Sequence, residues 1–136
     1  MVMLLKAHLI SYKDSLQTYV YCPEIDLAES GEMMRDAEYA FYAWYPRYLD
    51  HMARTNGLHK FLLTIDWKKS KEGLICPEYS YREAIDDLIQ RRLGEHEHLF
   101  TPTGILKEIL IAIPYEKGEN NHYTDHCIPK FNRVLQ

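Results

Sequence analysis

Apolar and polar residues alternate along residues 2–12, which is typical of a β-strand because successive side chains of a strand point to opposite faces. A turn at residues 13–15 leads into residues 16–22, which are rich in β-forming side chains. The two segments are therefore predicted to form a hairpin, and Pro23 is predicted to end its second strand.

Apolar residues recur at helical spacing in residues 30–57, and several of them are aromatic. They are Met34, Ala37, Phe41, Trp44, Tyr48 and Met52. Ser30 is predicted to cap the start of this helix, and Asn56 with Gly57 is predicted to end it in a left-handed conformation. Pro46 predicts either a kink or the first turn of a second helix.

Alternation returns in residues 58–67, where Phe61, Leu63, Ile65 and Trp67 would share one face of a strand. This pattern predicts a central strand of a sheet. Residues 68–73 carry a run of charges that predicts a solvated turn or loop, and residues 74–76 predict a short strand that Pro77 stops.

Residues 80–94 carry the clearest local signal for a helix. Ser80 and Glu83 have the spacing of a capping box, and Gly94 stands where a C-terminal cap is expected. The predicted buried stripe is Ile85, Leu88, Ile89 and Leu93. The predicted solvent side is Asp86, Asp87, Gln90 and Arg91.

Residues 105–115 fit two structures. Thr101 as a cap and Pro102 in the first position would suit a helix, whereas the β-branched Ile109, Ile111 and Ile113 suit a strand better. The strand is preferred, residues 101–104 are predicted to be a loop, and residues 128–135 are predicted to be a last short strand or an ordered tail.

The order β-β-α-β-α-β predicts an α+β fold with a mixed or antiparallel sheet of about four to five strands and two main helices on one face. A chain of 136 residues fits one globular domain over residues 1–136. Neither an internal repeat nor a linker interrupts the pattern.

Composition limits the classes of function. The formal net charge of −4 argues against nonspecific binding to nucleic acid or to an anionic membrane, since both favour a basic surface. Three widely spaced cysteines make a disulfide scaffold a poor fit and favour a reducing compartment. No signal peptide and no membrane-spanning apolar run is recognised, so a cytoplasmic location is expected.

A strongly acidic segment at residues 24–38 precedes and enters the predicted long helix. Its acidic residues are Glu24, Asp26, Glu29, Glu32, Asp36 and Glu38, and Tyr39 and Tyr42 follow them. Acidic residues favour the start of a helix, which is one interpretation of the segment. The other interpretation is a surface for a basic partner, with tyrosines as contact residues.

The second interpretation leads to the functional hypothesis. It predicts a small protein-binding module without catalysis, similar in action to inhibitors and immunity-type proteins, and an origin in a phage or another mobile element fits it. The partner would be a protein, including a nucleic-acid-binding protein or complex, with no direct contact to nucleic acid or membrane. No cofactor is expected, and the sequence does not define an oligomeric state.

The alternative hypothesis is a small metal-dependent hydrolase or nuclease. His122 and His126 would share one face of a helix, with Asp125 or Cys127 as a further ligand. A carboxylate pair across a sheet is a second option, and Asp66 with Glu108 could form it. Phosphate-loop, dinucleotide and hydrolase-elbow motifs are not found in the sequence.

Overall fold

The computed structural model describes residues 2–71, 73–114 and 129–130. The strands are β1 (Val2–Lys13), β2 (Thr18–Cys22), β3 (Leu27–Gly31), β4 (Lys68–Ser70), β5 (Gly73–Ile75), β6 (Thr101–Pro114) and β7 (Pro129–Lys130). The α-helices are α1 (Met34–Arg54), α2 (Leu58–Thr64) and α3 (Tyr81–Leu88). A π-helical turn (Ile89–Leu93) and a 3₁₀ helix (Gly94–Leu99) follow α3.

The α+β class is confirmed. Four strands form a sheet in the order β3-β2-β1-β6, and three shorter strands form a second sheet in the order β4-β5-β7. The predicted hairpin is present, since β1 and β2 pair antiparallel from Ile10 opposite Tyr21 to Lys13 opposite Thr18. The second strand ends at Cys22, directly before Pro23.

Strand β3 replaces the first part of the predicted helix. It pairs antiparallel with β2, and this pairing places Ser30 opposite Tyr19. The prediction that Ser30 caps α1 is therefore wrong, because its backbone belongs to the sheet. Asp36 instead stabilises the start of the helix, since its carboxylate accepts a hydrogen bond from the Met33 N–H at 3.1 Å.

Helix α1 continues through Pro46, so the helix is not divided there and no second helix starts at Pro46. Its buried residues are Ala37, Phe41, Leu49 and Ala53, whereas Trp44 of the predicted stripe is 52% exposed. The predicted left-handed stop is confirmed at Asn56, which has φ 58°. The Asn56 and Gly57 N–H groups donate back to the carbonyls of Ala53 and Met52, which closes the end of the helix.

Residues 58–67 do not form the predicted strand. Leu58, Leu62 and Ile65 are buried at helical spacing, and the Phe61 N–H donates to the Gly57 carbonyl at 2.9 Å in the first turn of α2. A short apolar run fits both periods, and here burial follows the helical one. The charged residues that follow are also more ordered than predicted, because Lys69 pairs with Leu74 in a hairpin of β4 and β5.

Helix α3 begins as predicted. The Ser80 hydroxyl accepts from the Glu83 N–H, and the Glu83 carboxylate accepts from the Ser80 N–H, both at 3.2 Å. The predicted C-terminal position of Gly94 is also supported by its φ of 53°. The wider π-helical turn before Gly94 was not predicted, and it changes the direction of the side chains that follow Leu88.

Replacing Ser80 with alanine should remove one half of this capping box. We expect a loss of about 1 kcal/mol of unfolding free energy, measured by urea unfolding. Exposed Ser15 lies outside any helix, so Ser15→Ala provides the control and should change the free energy little. Equal unfolding curves for the two variants would contradict the role assigned to Ser80.

The preferred strand over residues 105–115 is confirmed as far as Pro114, and it begins earlier than predicted. Residues 101–104 are part of β6 and do not form a loop. The three isoleucines at 109, 111 and 113 are buried, as expected for one face of a strand. The last predicted strand is present only at Pro129–Lys130 among the residues that the structure describes.

The chain divides into two compact units. Unit 1 contains Met1–Lys6, Tyr45–Glu78 and Leu110–Gln136, and unit 2 contains Ala7–Trp44 and Tyr79–Ile109. Buried residues of unit 1 include Leu49, Leu58, Leu62, Trp67 and Leu74. The core of unit 2 contains Ile10, Tyr12, Tyr21, Ala84, Leu88 and Leu93. A single domain over the whole chain stays a prediction.

Gly31 connects β3 to α1 at a position with no room for a side chain. A Cβ atom there would lie 2.6 Å from the backbone nitrogen of Ala37 and 2.6 Å from the Cβ of Asp36. Gly31→Ala is therefore expected to cost about 1–3 kcal/mol of unfolding free energy, because backbone must move to accommodate the methyl group. Thermal and urea unfolding would measure this cost.

Gly57→Ala provides the matched control. An added Cβ would meet the Thr55 hydroxyl at 3.7 Å, an ordinary contact, and the backbone φ of −103° suits any residue. We expect a change of less than about 1 kcal/mol for this control. A Gly31→Ala protein as stable as Gly57→Ala would show that the start of α1 packs less closely than described.

Candidate partner-binding surface

The first half of α1 exposes two tyrosines on one face. Tyr39 is 78% exposed and Tyr42 is 42% exposed, and they lie three residues apart, which places them close together on a helix. Arg35, Asp36 and Ala43 are also exposed at neighbouring helical positions. We call these five residues the α1 outer face. Both tyrosines that the sequence assigned to a partner therefore lie where a partner can reach them.

Tyr42 is oriented by the core. Its ring meets the buried ring of Phe41 edge to face, with centroids 5.6 Å apart and an angle of 77° between the planes. Such aromatic pairs restrict ring orientation and add stability beyond buried area. The α1 outer face thus combines a highly exposed ring with one that is held against its own helix.

The six acidic residues do not form one continuous surface. Glu32 and Asp36 are exposed, whereas both carboxylate oxygens of Glu38 lie 3.1 Å from the Lys107 Nζ, which balances its charge. Asp26 is paired with Arg92 at 3.2 Å, and it also accepts a hydrogen bond from the Tyr21 hydroxyl at 2.8 Å. Fewer of the six acidic residues thus offer an exposed negative charge to a partner than the sequence suggested.

Glu24 does not lie on a surface, which corrects the prediction that it contacts a partner. Its exposure is 0%, and His8 Nδ1 lies 2.7 Å from its Oε2 atom. The His8 backbone N–H and the Cys22 thiol also donate to its Oε1 atom, at 3.0 and 3.5 Å. Three polar partners around one buried carboxyl group identify it as a structural residue, since buried polar and charged groups require such partners.

Arg91 stabilises the fold, although the sequence analysis placed it on the solvent side of the helix. Its guanidinium donates to the Pro23 carbonyl at 3.0 Å and to the Tyr79 hydroxyl at 3.2 Å, and it lies 3.0 Å from the Asp87 carboxylate. Burial raises the pKa of the Tyr79 hydroxyl above its ordinary range. The network ties the β2–β3 turn to the end of α3.

Aromatic rings and two charged residues line an open cleft of about 290 Å³ in unit 2. The rings of Tyr12 and Tyr19 stack with centroids 5.0 Å apart, and Phe100 meets them edge to face at 5.7 and 5.6 Å. Glu29 and Arg92 also line the cleft. No sequence pattern indicated this cleft, because its residues come from β1, β2, β3, the π-helical turn and the residue before β6.

Burial controls ionisation in the cleft. It raises the pKa of the Glu29 carboxyl, an effect that the nearby Arg92 guanidinium only partly opposes. Burial also raises the pKa of Tyr12 to about 12, and the hydrogen bond to Asp14 raises the pKa of Tyr19. The ionised form of Glu29 is thus less favoured in the fold than in water.

The residues of the alternative hypothesis fall into two sets. His122, Asp125, His126 and Cys127 lie outside the described residues. Asp66 was predicted to lie in a strand, but it lies in the turn after α2 with φ 74°. Glu108 is exposed on β6. Within residues 2–71, 73–114 and 129–130, no three His, Cys, Asp or Glu side chains are placed to hold a metal ion.

Comparisons with known proteins add no family to this description. No family model, no curated protein and no solved structure matches the chain. In the part of the chain that the structure describes, no helix combines the length and the hydropathy needed to cross a lipid bilayer.

Proposed function

We propose that this protein is a small binding module that recognises a basic partner protein through the α1 outer face, as inhibitors and immunity-type proteins recognise their targets. The observation that carries the proposal is the exposure of Tyr39 and Tyr42 on one face of a helix. Tyrosine is enriched at protein interfaces because it offers a large apolar ring together with a hydroxyl group.

The helix is a suitable support for such contacts. An exposed tyrosine on a rigid backbone loses little conformational freedom on binding, which favours its use as a contact of high energy. The exposed acidic residues Glu32 and Asp36 outnumber the exposed Arg35 in the segment that leads to the tyrosines, and this balance supports the choice of a basic partner. The candidate partners include proteins that themselves bind nucleic acid.

The proposal includes a cytoplasmic location and no cofactor. Cys22 and Cys76 are buried as thiols, which suits a reducing compartment. A module of this kind acts by occupying its partner's surface, so it needs no catalytic group of its own.

Co-purification from the native host tests the proposal with three forms of the protein. The wild type and Leu16→Ser should retain the same partner, and Tyr39→Ser should lose it. Leu16 is the matched control because it is an 84% exposed apolar residue in the turn between β1 and β2. A partner retained equally by all three forms would show that the α1 outer face is not the binding surface.

A further inference from the structure

We propose that unit 1 binds the phosphate backbone of double-stranded DNA through three lysines of its β4–β5 hairpin, Lys68, Lys69 and Lys71. We call these three residues the lysine hairpin. The inference goes beyond the proposed function, because it concerns a second surface and a second kind of partner. The contact with DNA requires neither tyrosine of the α1 outer face, so the two proposals can fail separately.

The two units carry charges of opposite sign. Unit 1 contains ten lysine and arginine residues and seven aspartate and glutamate residues, whereas unit 2 contains six and thirteen. The formal net charges are therefore +3 and −7, and the value of −4 for the whole chain conceals a basic unit. The prediction of no contact with nucleic acid was drawn from the whole chain, but nucleic acids bind to local basic surfaces.

Buried residues anchor the lysine hairpin at both ends. Trp67 directly precedes β4 and is 2% exposed, and Leu74 in β5 and Cys76 after it are fully buried. Near the tip, the Ser70 hydroxyl donates to the Gly73 carbonyl at 3.0 Å. The backbone that carries the lysines is therefore held in place, which lowers the entropic cost of setting three cations against one partner.

All three lysines are exposed. Lys68 and Lys69 belong to β4, and Lys71 follows it directly. No ion pair among the described residues involves any of them, whereas Lys107 is paired with Glu38 at 3.1 Å. The lysine hairpin therefore offers uncompensated positive charge, which is what a surface that neutralises phosphates requires.

The lack of exposed apolar side chains favours duplex DNA over other polyanions. In residues 58–71 and 73–78 no large apolar side chain is exposed, since Trp67 is buried and Phe61 is half-buried. Binding of single-stranded nucleic acid uses exposed rings that stack on bases, and insertion into an anionic membrane uses exposed apolar side chains. Duplex DNA presents closely spaced phosphates on its outside, so lysines alone can bind it.

The chemistry of lysine limits what this surface can recognise. Its ammonium group is a compact cation on a flexible stem, which suits contacts to phosphates, and phosphate contacts carry no direct sequence information. Unit 2 is acidic and repels DNA, which confines the contact to unit 1. We expect weak binding that is independent of DNA sequence and falls steeply with salt.

Fluorescence anisotropy with a labelled DNA duplex measures this binding on the protein alone. Three phosphate contacts predict that the logarithm of the binding constant falls against the logarithm of the salt concentration with a slope of about −2.7. Raising the KCl concentration from about 50 to 200 mM should therefore weaken the binding of the wild type by a factor of about 40. A duplex of scrambled sequence should bind equally well.

Replacing lysine with glutamine assigns the contact. The variant that combines Lys68→Gln, Lys69→Gln and Lys71→Gln should lose the binding, and Lys69→Gln alone should reduce the size of the slope by about 1. Lys13→Gln is the matched control and should bind like the wild type, since Lys13 is exposed at the end of a hairpin strand but belongs to unit 2. Urea unfolding should give all variants nearly equal stability, because the substituted side chains are exposed.

Other polyanions test the choice of duplex DNA. Single-stranded DNA, poly-glutamate and vesicles of phosphatidylserine and phosphatidylcholine should bind more weakly. Duplex RNA should bind no more tightly, because lysine contacts phosphates and does not select the 2′-hydroxyl group.

Three results would overturn the inference: no binding of duplex DNA at low salt, equal binding by the triple variant and the wild type, or tighter binding of one of the other polyanions. These results are separable from a failure of the proposed function. Loss of the partner by Tyr39→Ser without DNA binding would refute the lysine hairpin alone. DNA binding with a partner that ignores Tyr39→Ser would refute the α1 outer face alone.

Discussion

Replacing Glu24 with alanine is expected to lower the unfolding free energy by about 3–5 kcal/mol, enough to leave much of the protein unfolded at 37 °C. The carboxylate is fully buried, with His8 Nδ1 at 2.7 Å and the His8 backbone N–H at 3.0 Å. Its removal takes away a hydrogen-bond partner of the His8 backbone N–H, of His8 Nδ1 and of the Cys22 thiol. Each buried polar group that loses a partner lowers the unfolding free energy.

Glu32→Ala provides the control, because Glu32 belongs to the same acidic segment and is exposed. Its substitution should change the unfolding free energy by less than about 0.5 kcal/mol. Urea unfolding followed by circular dichroism compares the two variants. A Glu24→Ala protein as stable as Glu32→Ala would show that the pair with His8 contributes little to the fold.

Replacing Arg91 with leucine is expected to cost about 3 kcal/mol or more, although the apolar volume is largely kept. The substitution removes the ion pair of the Asp87 carboxylate and the hydrogen bonds that Arg91 donates to the Pro23 carbonyl and the Tyr79 hydroxyl. Arg91→Lys should recover only part of the loss, since an ammonium group cannot donate along the several directions that a guanidinium serves.

The adjacent Arg92 provides the matched control. It forms its ion pair with Asp26 at 3.2 Å, but its side chain is 38% exposed, whereas that of Arg91 is 14% exposed. A partly exposed pair contributes about 1 kcal/mol or less, so Arg92→Leu should be clearly milder than Arg91→Leu. Equal losses in thermal and urea unfolding would contradict the central position assigned to Arg91.

Elements with local signals could be predicted from the sequence. The β1–β2 hairpin follows from alternation and a turn, and α3 follows from the capping box of Ser80 and Glu83. The stop at Asn56 is equally local. In each case the residues that determine the structure lie within a few positions of one another.

Elements that depend on distant contacts could not be predicted. Strand β3 has the sequence Leu-Ala-Glu-Ser-Gly, which has little strand propensity, and it exists because β2 pairs with it. Helix α2 was assigned to a strand since a short apolar run fits both periods. Arg91 was placed toward solvent, whereas its side chain is 14% exposed and its partners include the Pro23 carbonyl, 68 positions away.

The candidate site shows the same limit. Tyr39 and Tyr42 are exposed, as a partner-binding role requires, but sequence alone cannot distinguish an exposed carboxylate from a buried one. Glu24 is buried against a histidine 16 positions away, and Glu38 is paired with a lysine 69 positions away. Charge counts along a segment therefore overstate the charge that a partner would meet.

The central claim is that a partner binds the α1 outer face, and the dissociation rate of the complex tests it most directly. With the co-purified partner immobilised, Tyr39→Ala should dissociate about thirtyfold faster than the wild type, as expected for a contact worth about 2 kcal/mol. Association should change little, since truncating an apolar contact acts mainly on dissociation. Leu16→Ala should dissociate like the wild type, and a Tyr39→Ala complex as long-lived as that of Leu16→Ala would contradict the account.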